Sequence, residues 1–157
     1  MEWNIRKATS EDIGAIQHLN TKLRHKDYEE YDQTINVDFP LSDGGSAYFK
    51  ERIESPDSFA LVAESASTVV GYFVGTVIKP EMYRTMSEIG EGENMFVDDG
   101  FQGQGIGTQF MEKFEEWCKG RGVARTRVVA SAENKVAIEF YKKVGFEKYD
   151  LTLEKDL

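Results

Sequence analysis

Three glycines at alternate positions, within Gln102-Gly103-Gln104-Gly105-Ile106-Gly107-Thr108, constrain this chain more than any other feature. They follow the apolar triplet Met95, Phe96 and Val97, and they precede a stretch in which Ile106, Phe110, Phe114, Trp117 and Cys118 fall on one helical face. The segment therefore joins a strand end to the first turn of an amphipathic helix. Glycine lets the main chain approach a ligand closely, and the N–H groups of a helix's first turn have no partner within the helix. A turn of this kind is suited to an anion such as a pyrophosphate. Two nucleotide loops fail on spacing. The dinucleotide pattern GxGxxG requires glycine at 108 or 110, where Thr108 and Phe110 stand. The phosphate loop GxxxxGK[ST] is met at Gly100 and Gly105, but Ile106 takes the place of the lysine.

The surrounding pattern predicts an α/β architecture. Trp3 to Ala8 reads as a strand, followed by a helix capped at Thr9 or Ser10 whose apolar face runs through Ile13, Ile16, Leu19 or Asn20, and Leu23, up to the polar segment His25 to Asp32. Ser42 and Asp43 begin a second helix with Tyr48, Phe49, Arg52 and Ile53 on one side. Phe59 to Glu64 and Val69 to Ile78 form a predicted hairpin, and Ser87 to Val97 a third central strand. Gly120 and Gly122 stop the amphipathic helix. Arg125 to Ala130 is the next strand, Asn134 to Val144 a helix stopped by Gly145, and Phe146 to Leu153 a final strand or pair of short strands. The unit from Met95 to Ala130 is long enough for a crossover between parallel strands, so a mixed sheet with helices on both faces is expected.

The segment Gln102 to Gly107 matches Q/R-x-x-G-x-G/A, and Asn134-Lys135-Val136-Ala137-Ile138-Glu139-Phe140-Tyr141-Lys142-Lys143-Val144-Gly145-Phe146 fills every fixed position of N-x-x-A-x-x-F-Y-x-x-x-G-F. Together they resemble the two signatures of the GCN5-related N-acetyltransferase (GNAT) family. The resemblance implies one domain over residues 1–157, with a central mixed sheet of about six to seven strands flanked by about four helices. It also implies an enzyme that uses acetyl-CoA as cosubstrate and requires no metal. The coenzyme would lie where two parallel strands splay apart, near Val97 and Arg125, with its pantetheine arm pairing to the main chain of Met95, Phe96 and Val97. The amides of Gly103, Gln104, Gly105, Ile106, Gly107 and Thr108 would hold the pyrophosphate, with the Gln102 side chain nearby and Asn134 at the pantetheine end. Gln102 replaces an arginine common at its position, so binding leans more on the backbone.

An alkylamine is almost wholly protonated at neutral pH, so attack on a thioester needs a base or a proton path. Glu91 and Glu93 lie two apart on the strand leading to Val97, and on a regular strand both project from one face. By resemblance Glu91 falls where some members carry a catalytic glutamate, but Gly90 and Gly92 could bulge the strand, and the choice between Glu91 and Glu93 stays open. Tyr141 matches the family's general acid, which protonates the departing thiolate; the alternative for Phe140 and Tyr141 is packing on the helix face. A backbone N–H near Met95 or Phe96 would serve the developing oxyanion. His18, His25 and Cys118 are assigned no chemistry.

Composition narrows the partners. With 19 Lys and Arg against 28 Asp and Glu, the net charge is −9, which repels nucleic-acid phosphates and draws cations near. One cysteine allows no internal disulfide, and a cytoplasmic location is expected, with neither secretory signal nor membrane span. Acceptor choice is expected to reside in Tyr28, Glu29, Glu30, Tyr31, Asp32 and the region Glu81 to Glu88. The leading acceptor is a primary amine of a small cationic molecule. The rivals are a protein N-terminus or lysine, and a non-catalytic acyl-CoA-binding module. Many family members dimerise, so a homodimer is among the expectations, although no feature of the sequence fixes it.

Overall fold

In the computed structural model, which describes residues 2–157, the period-two pattern of the central strands resolves into two packed faces. The elements are β1 (Asn4–Lys7), α1 (Ile13–Glu30), α2 (Asp43–Glu54), β2 (Ser58–Ser65), β3 (Thr68–Ile78), β4 (Ile89–Val97), α3 (Ile106–Gly120), β5 (Thr126–Val128) and α4 (Lys135–Lys143). A single sheet runs β1-β2-β3-β4-β5, antiparallel through β4 and parallel between β4 and β5. Phe59, Leu61 and Ala63 of β2 and Phe73 of β3 pack against the Phe110, Phe114 and Cys118 stripe of α3. Their neighbours Ala60, Val62, Tyr72 and Val74 face the other way, against Ile16 and Leu19 of α1 and Phe49 of α2. Burying side chains of this size contributes about 1.5–3 kcal/mol each.

Helix α3 sits close to the sheet because two glycines lie beneath it. A Cβ on Gly75 would come within 2.8 Å of the Phe114 ring, and one on Gly90 would run into Cys118 Sγ. Cys118 is accordingly a packed apolar residue whose thiol burial pushes up to about 11. Two of the expected helix ends are as read: Ser42 Oγ accepts from Gly45 N at 3.1 Å, and Gly145, in the left-handed region at φ 100°, follows α4. The cap expected at Thr9 or Ser10 instead precedes a short 3-10 turn, Ser10–Asp12, and α1 itself starts after Asp12.

The main departures from the sequence expectation lie in α1, β5 and the C-terminal segment. Helix α1 continues through His25 to Glu30, because the polar residues there turn outward instead of ending the helix. Strand β5 is only Thr126–Val128, shorter than Arg125 to Ala130. The sheet has five strands instead of six to seven, because Phe146 to Leu153 forms none. The alternating Tyr149, Leu151 and Leu153 remain 62, 74 and 84% exposed, so that segment has no apolar surface to bury its stripe. Tyr149 is held instead by side chains, with the Arg84 and Arg125 guanidinium groups 4.5 and 4.9 Å from its ring centre.

The entry to α1 is fixed by a charged junction. Asp12 is buried, and its carboxylate accepts from Arg6 at 2.8 and 2.9 Å and from the Thr9 amide at 2.8 Å, while Arg6 also reaches Glu64 at 2.8 Å. Surface pairs such as Lys142 with Glu139 contribute about 0–1 kcal/mol, whereas removing one partner of a buried pair costs several times more. The Arg6 guanidinium holds the Asp12 carboxyl below its ordinary 3.8. Its stabilisation is therefore complete above that value and is lost as pH falls through the lower folded value. Asp12→Ala is expected to cost about 2–3 kcal/mol in urea unfolding at neutral pH, with the gap to wild type closing below about pH 4.

Candidate active site

The two strands expected to splay share pairing only over a short stretch. β5 pairs with β4 at Gly90↔Thr126, Glu91↔Arg127 and Gly92↔Val128, and there β5 ends while β4 continues to Val97. On its other side β4 stays paired with β3, but the register jumps from Gly75↔Gly92 to Val74↔Asn94, so Glu93 is the extra residue of a β-bulge. The glycines flanking Glu91 do not themselves bulge; Gly90 lies beneath Cys118, and Gly92 beside Phe73 and Val128. Beyond the bulge, Met95, Phe96 and Val97 leave one main-chain edge unshared with β5. An extended ligand can pair with such an edge.

At the foot of that edge lies the glycine turn. Gly103 and Gly105 adopt φ values of 75° and 90°, a left-handed conformation that L side chains resist. Gly105 caps α3, and the first main-chain bond beyond the cap runs from Gln109 N to Gly105 O at 3.0 Å. The amides of Ile106, Gly107 and Thr108 precede that bond. Among the described residues, those of Gly103, Gln104 and Gly105 donate to no main-chain carbonyl. Gly107 is needed for close packing: a Cβ there would stand 3.2 Å from the Phe140 ring and 3.6 Å from Met95 Sδ, so β4, α3 and α4 meet at this residue. The Gln102 side chain folds back to donate to Val97 O at 2.9 Å and Asp99 Oδ1 at 3.0 Å, tying the turn to the end of β4.

The second motif forms α4. Asn134 caps it, its Oδ1 accepting from Ala137 N at 3.0 Å, which leaves the side-chain amide for other partners. Phe140 and Tyr141 both pack against the α3 face of the core. The Tyr141 ring meets Phe140 and Phe146 edge-on at centroid separations of 5.2 and 5.7 Å, and burial pushes its phenol up to about 12.

The two carboxylates of β4 stand in different surroundings. Glu91 Oε2 accepts from Arg127 Nε at 2.5 Å, and Arg127 also reaches Glu81 at 3.1 Å, fastening the loop before β4 to β5. No hydrogen bond among the described residues ends on Glu91 Oε1. Glu93 has both oxygens engaged: Oε2 accepts from Arg52 Nε at 2.5 Å and Tyr48 OH at 2.8 Å, and Oε1 accepts from Arg52 Nη2 at 2.9 Å. The Tyr48 hydroxyl in turn accepts from Asn94 Nδ2 at 2.9 Å, and Asn94 Oδ1 accepts from Arg24. Deeper in, Asn20 donates to the buried Tyr72 hydroxyl at 2.6 Å. Asn94, Arg24 and Tyr48 were not candidates from sequence. Their only signals were Asn20 on the buried stripe of α1 and Arg52 beside Tyr48 on the inward side of α2.

Tyr28, Glu29 and Glu30 lie exposed on the last turn of α1, and Met82 and Tyr83 are exposed in the loop before β4. A cavity of about 460 Å³ lined by Ser87, Glu88 and Arg125 lies at the opposite end of β4 from the glycine turn. No group of three or more His, Cys, Asp or Glu among the described residues is placed to hold a metal ion. No helix among them is long and apolar enough to cross a membrane.

Comparison with known proteins places this geometry in a family. The chain is 30% identical over 149 residues to an uncharacterized N-acetyltransferase of Methanocaldococcus jannaschii; the match covers 95% of this chain and 62% of that protein, so the chain spans less than two thirds of its length. It is 27% identical over 161 residues to the thialysine N-epsilon-acetyltransferase of Mus musculus, covering 94% of this chain and 85% of that one. Its fold superposes on a predicted acetyltransferase of Clostridium acetobutylicum, crystallised with acetyl-CoA, with a TM-score of 0.78 and 24% identity over 99% of this chain and 96% of that one. The model of the acetyltransferase (GNAT) family matches residues 21–146, spanning the bulged strand, the glycine turn and α4, and the chain belongs to that family.

Proposed function

We propose that the protein transfers the acetyl group of acetyl-CoA to the primary amine of a small cationic molecule. The observation that carries this reading is the unshared edge of β4 ending on the unpaired amides of Gly103 to Thr108. Those amides and the start of α3 suit a pyrophosphate, and the edge at Met95 to Val97 suits the amide-bearing pantetheine arm. Asn134 Nδ2 is free to bind that arm near its thiol end.

Acetyl-CoA supplies an activated acyl group, and the residues around it handle protons and charge. Glu91 is the better placed of the two β4 carboxylates to accept the amine's proton, directly or through water, because Oε1 is uncommitted whereas Glu93 has no free oxygen. A main-chain N–H near Met95 or Phe96 would stabilise charge developing on the carbonyl oxygen. Tyr141 is assigned the proton delivered to the leaving thiolate. Its phenol, at about 12, stays protonated through neutral and mildly alkaline pH, so the acid form is lost only as pH rises through that value. The net charge of −9 and the likeness to a thialysine acetyltransferase support a cationic acceptor.

A screen following CoA thiol release with polyamines, aminoglycosides, amino acids and peptides is expected to yield turnover on a small amine. Turnover on peptides alone would point to protein acetylation, and acetyl-CoA binding without turnover on any amine to a binding module. Tyr141→Phe is expected to lower kcat by about a hundredfold while acetyl-CoA affinity changes little. An unchanged rate would remove Tyr141 as the acid. Gly105→Ala introduces a Cβ at φ 90°, a strain of about 1–2 kcal/mol, and is expected to weaken acetyl-CoA binding in calorimetry about tenfold. Wild-type affinity would show that the left-handed cap is dispensable.

A further inference from the structure

The bulge at Glu93 falls one residue beyond Gly92↔Val128, the last pair between β4 and β5. A bulge bends its strand and increases the local twist, and this one lies where pairing with β5 stops. Its extra residue is not left to solvent. Glu93 and Arg52 are only 16 and 14% exposed, and the planar guanidinium meets both carboxylate oxygens. The Arg52 guanidinium also stacks on Tyr48, 4.7 Å from the ring centre. Tyr48 OH spans Glu93 and the following residue Asn94, which Arg24 of α1 holds from the other side. Two successive residues of the bulge are thus gripped by two different helices, both on the face away from α3.

We infer that Glu93 and Arg52 are positioning residues that hold the β4 bulge, and with it the parting of β4 from β5, in the shape that admits acetyl-CoA. The inference rests on the acetyl-CoA reading above. Without the clamp, the energetic reason for accommodating an extra residue at this level disappears, and β4 gains access to regular pairing, in which a one-residue slip turns every following side chain to the opposite face. Met95 would then leave its place beside Gly107, and the open edge would no longer align with the glycine turn. The same bonds argue against proton transfer by Glu93. Three of the roughly four lone-pair sites of its carboxylate are taken by Arg52 and Tyr48, and a proton taken up there would weaken the arginine pair that holds it.

The test is calorimetric titration of acetyl-CoA into wild type, Glu93→Gln, Arg52→Gln and the double variant. It is paired with the pH–rate profile of Glu93→Gln on the best amine from the screen. Each single variant is expected to bind about tenfold more weakly, and the double variant no more weakly than the worse single one, because both changes release the same clamp. The acidic limb of the Glu93→Gln profile should match wild type. Wild-type affinity in Glu93→Gln, additive losses in the double variant, or loss of that limb would each overturn the inference. If Glu93→Gln fails to fold, Arg52→Lys decides. Lysine keeps the charge and loses the fork, so an intermediate loss is expected, and wild-type affinity would be contrary. A wild-type protein that shows no binding removes the acetyl-CoA reading itself.

Discussion

The site depends on one geometric constraint: β4 must stay paired with β3 along its length while parting from β5 after Gly92. β5 is the edge strand, so where it ends the outer main-chain edge of β4 is bare, and such an edge would be costly if it were sealed from water and ligand. Here the edge opens at the point where the chain leaves β4 for the glycine turn, so a ligand lying along it meets strand amides and helix amides in one sweep. The packing behind the sheet keeps these parts aligned. Gly75 and Gly90 let α3 settle onto β3 and β4, Gly107 in its first turn lies beside Met95, and Phe140 of α4 closes over Gly107.

Electrostatics poses a problem that the backbone resolves. On the acetyl-CoA reading, a protein of net charge −9 would hold a polyanionic coenzyme with Gln102 where an arginine would add a charge. Hydrogen bonds to a charged group contribute about 1.5–3 kcal/mol each, whereas an exposed ion pair contributes about 0–1 kcal/mol. Several such amides therefore outweigh one missing arginine. Gln102 contributes by shaping the turn through Val97 O and Asp99. Arg24, Arg52 and Arg127 are bonded to Asn94, Glu93 and Glu91, so they act as ties between elements more than as free charges.

What was legible in the sequence was local. The glycine turn, the stripe from Ile106 to Cys118 and the helix beginning at Asn134 depend on residues within a few positions of one another, and each took the form its spacing predicts. The bulge was not legible in the same way: Gly90 and Gly92 drew attention, yet the extra residue is Glu93, because register is decided by what β3 offers across the ladder. The pairing of Glu93 with Arg52, 41 positions earlier, joins elements distant in sequence and left no periodic trace. Alternation misled at Tyr149, Leu151 and Leu153, since a period of two names a face without supplying a surface to bury it. The polar run His25 to Glu30 misled in the opposite sense, because a helix needs an apolar stripe on only one side.

The most direct measurement is amide hydrogen exchange of the folded protein with and without acetyl-CoA, read residue by residue across β4 and the glycine turn. Pronounced slowing at Gly103 to Thr108, accompanied by slowing along Met95 to Val97, is the predicted result. Saturable acetyl-CoA binding that leaves exchange at 103–108 unchanged would contradict the account, because the coenzyme would then be held by something other than these main-chain donors.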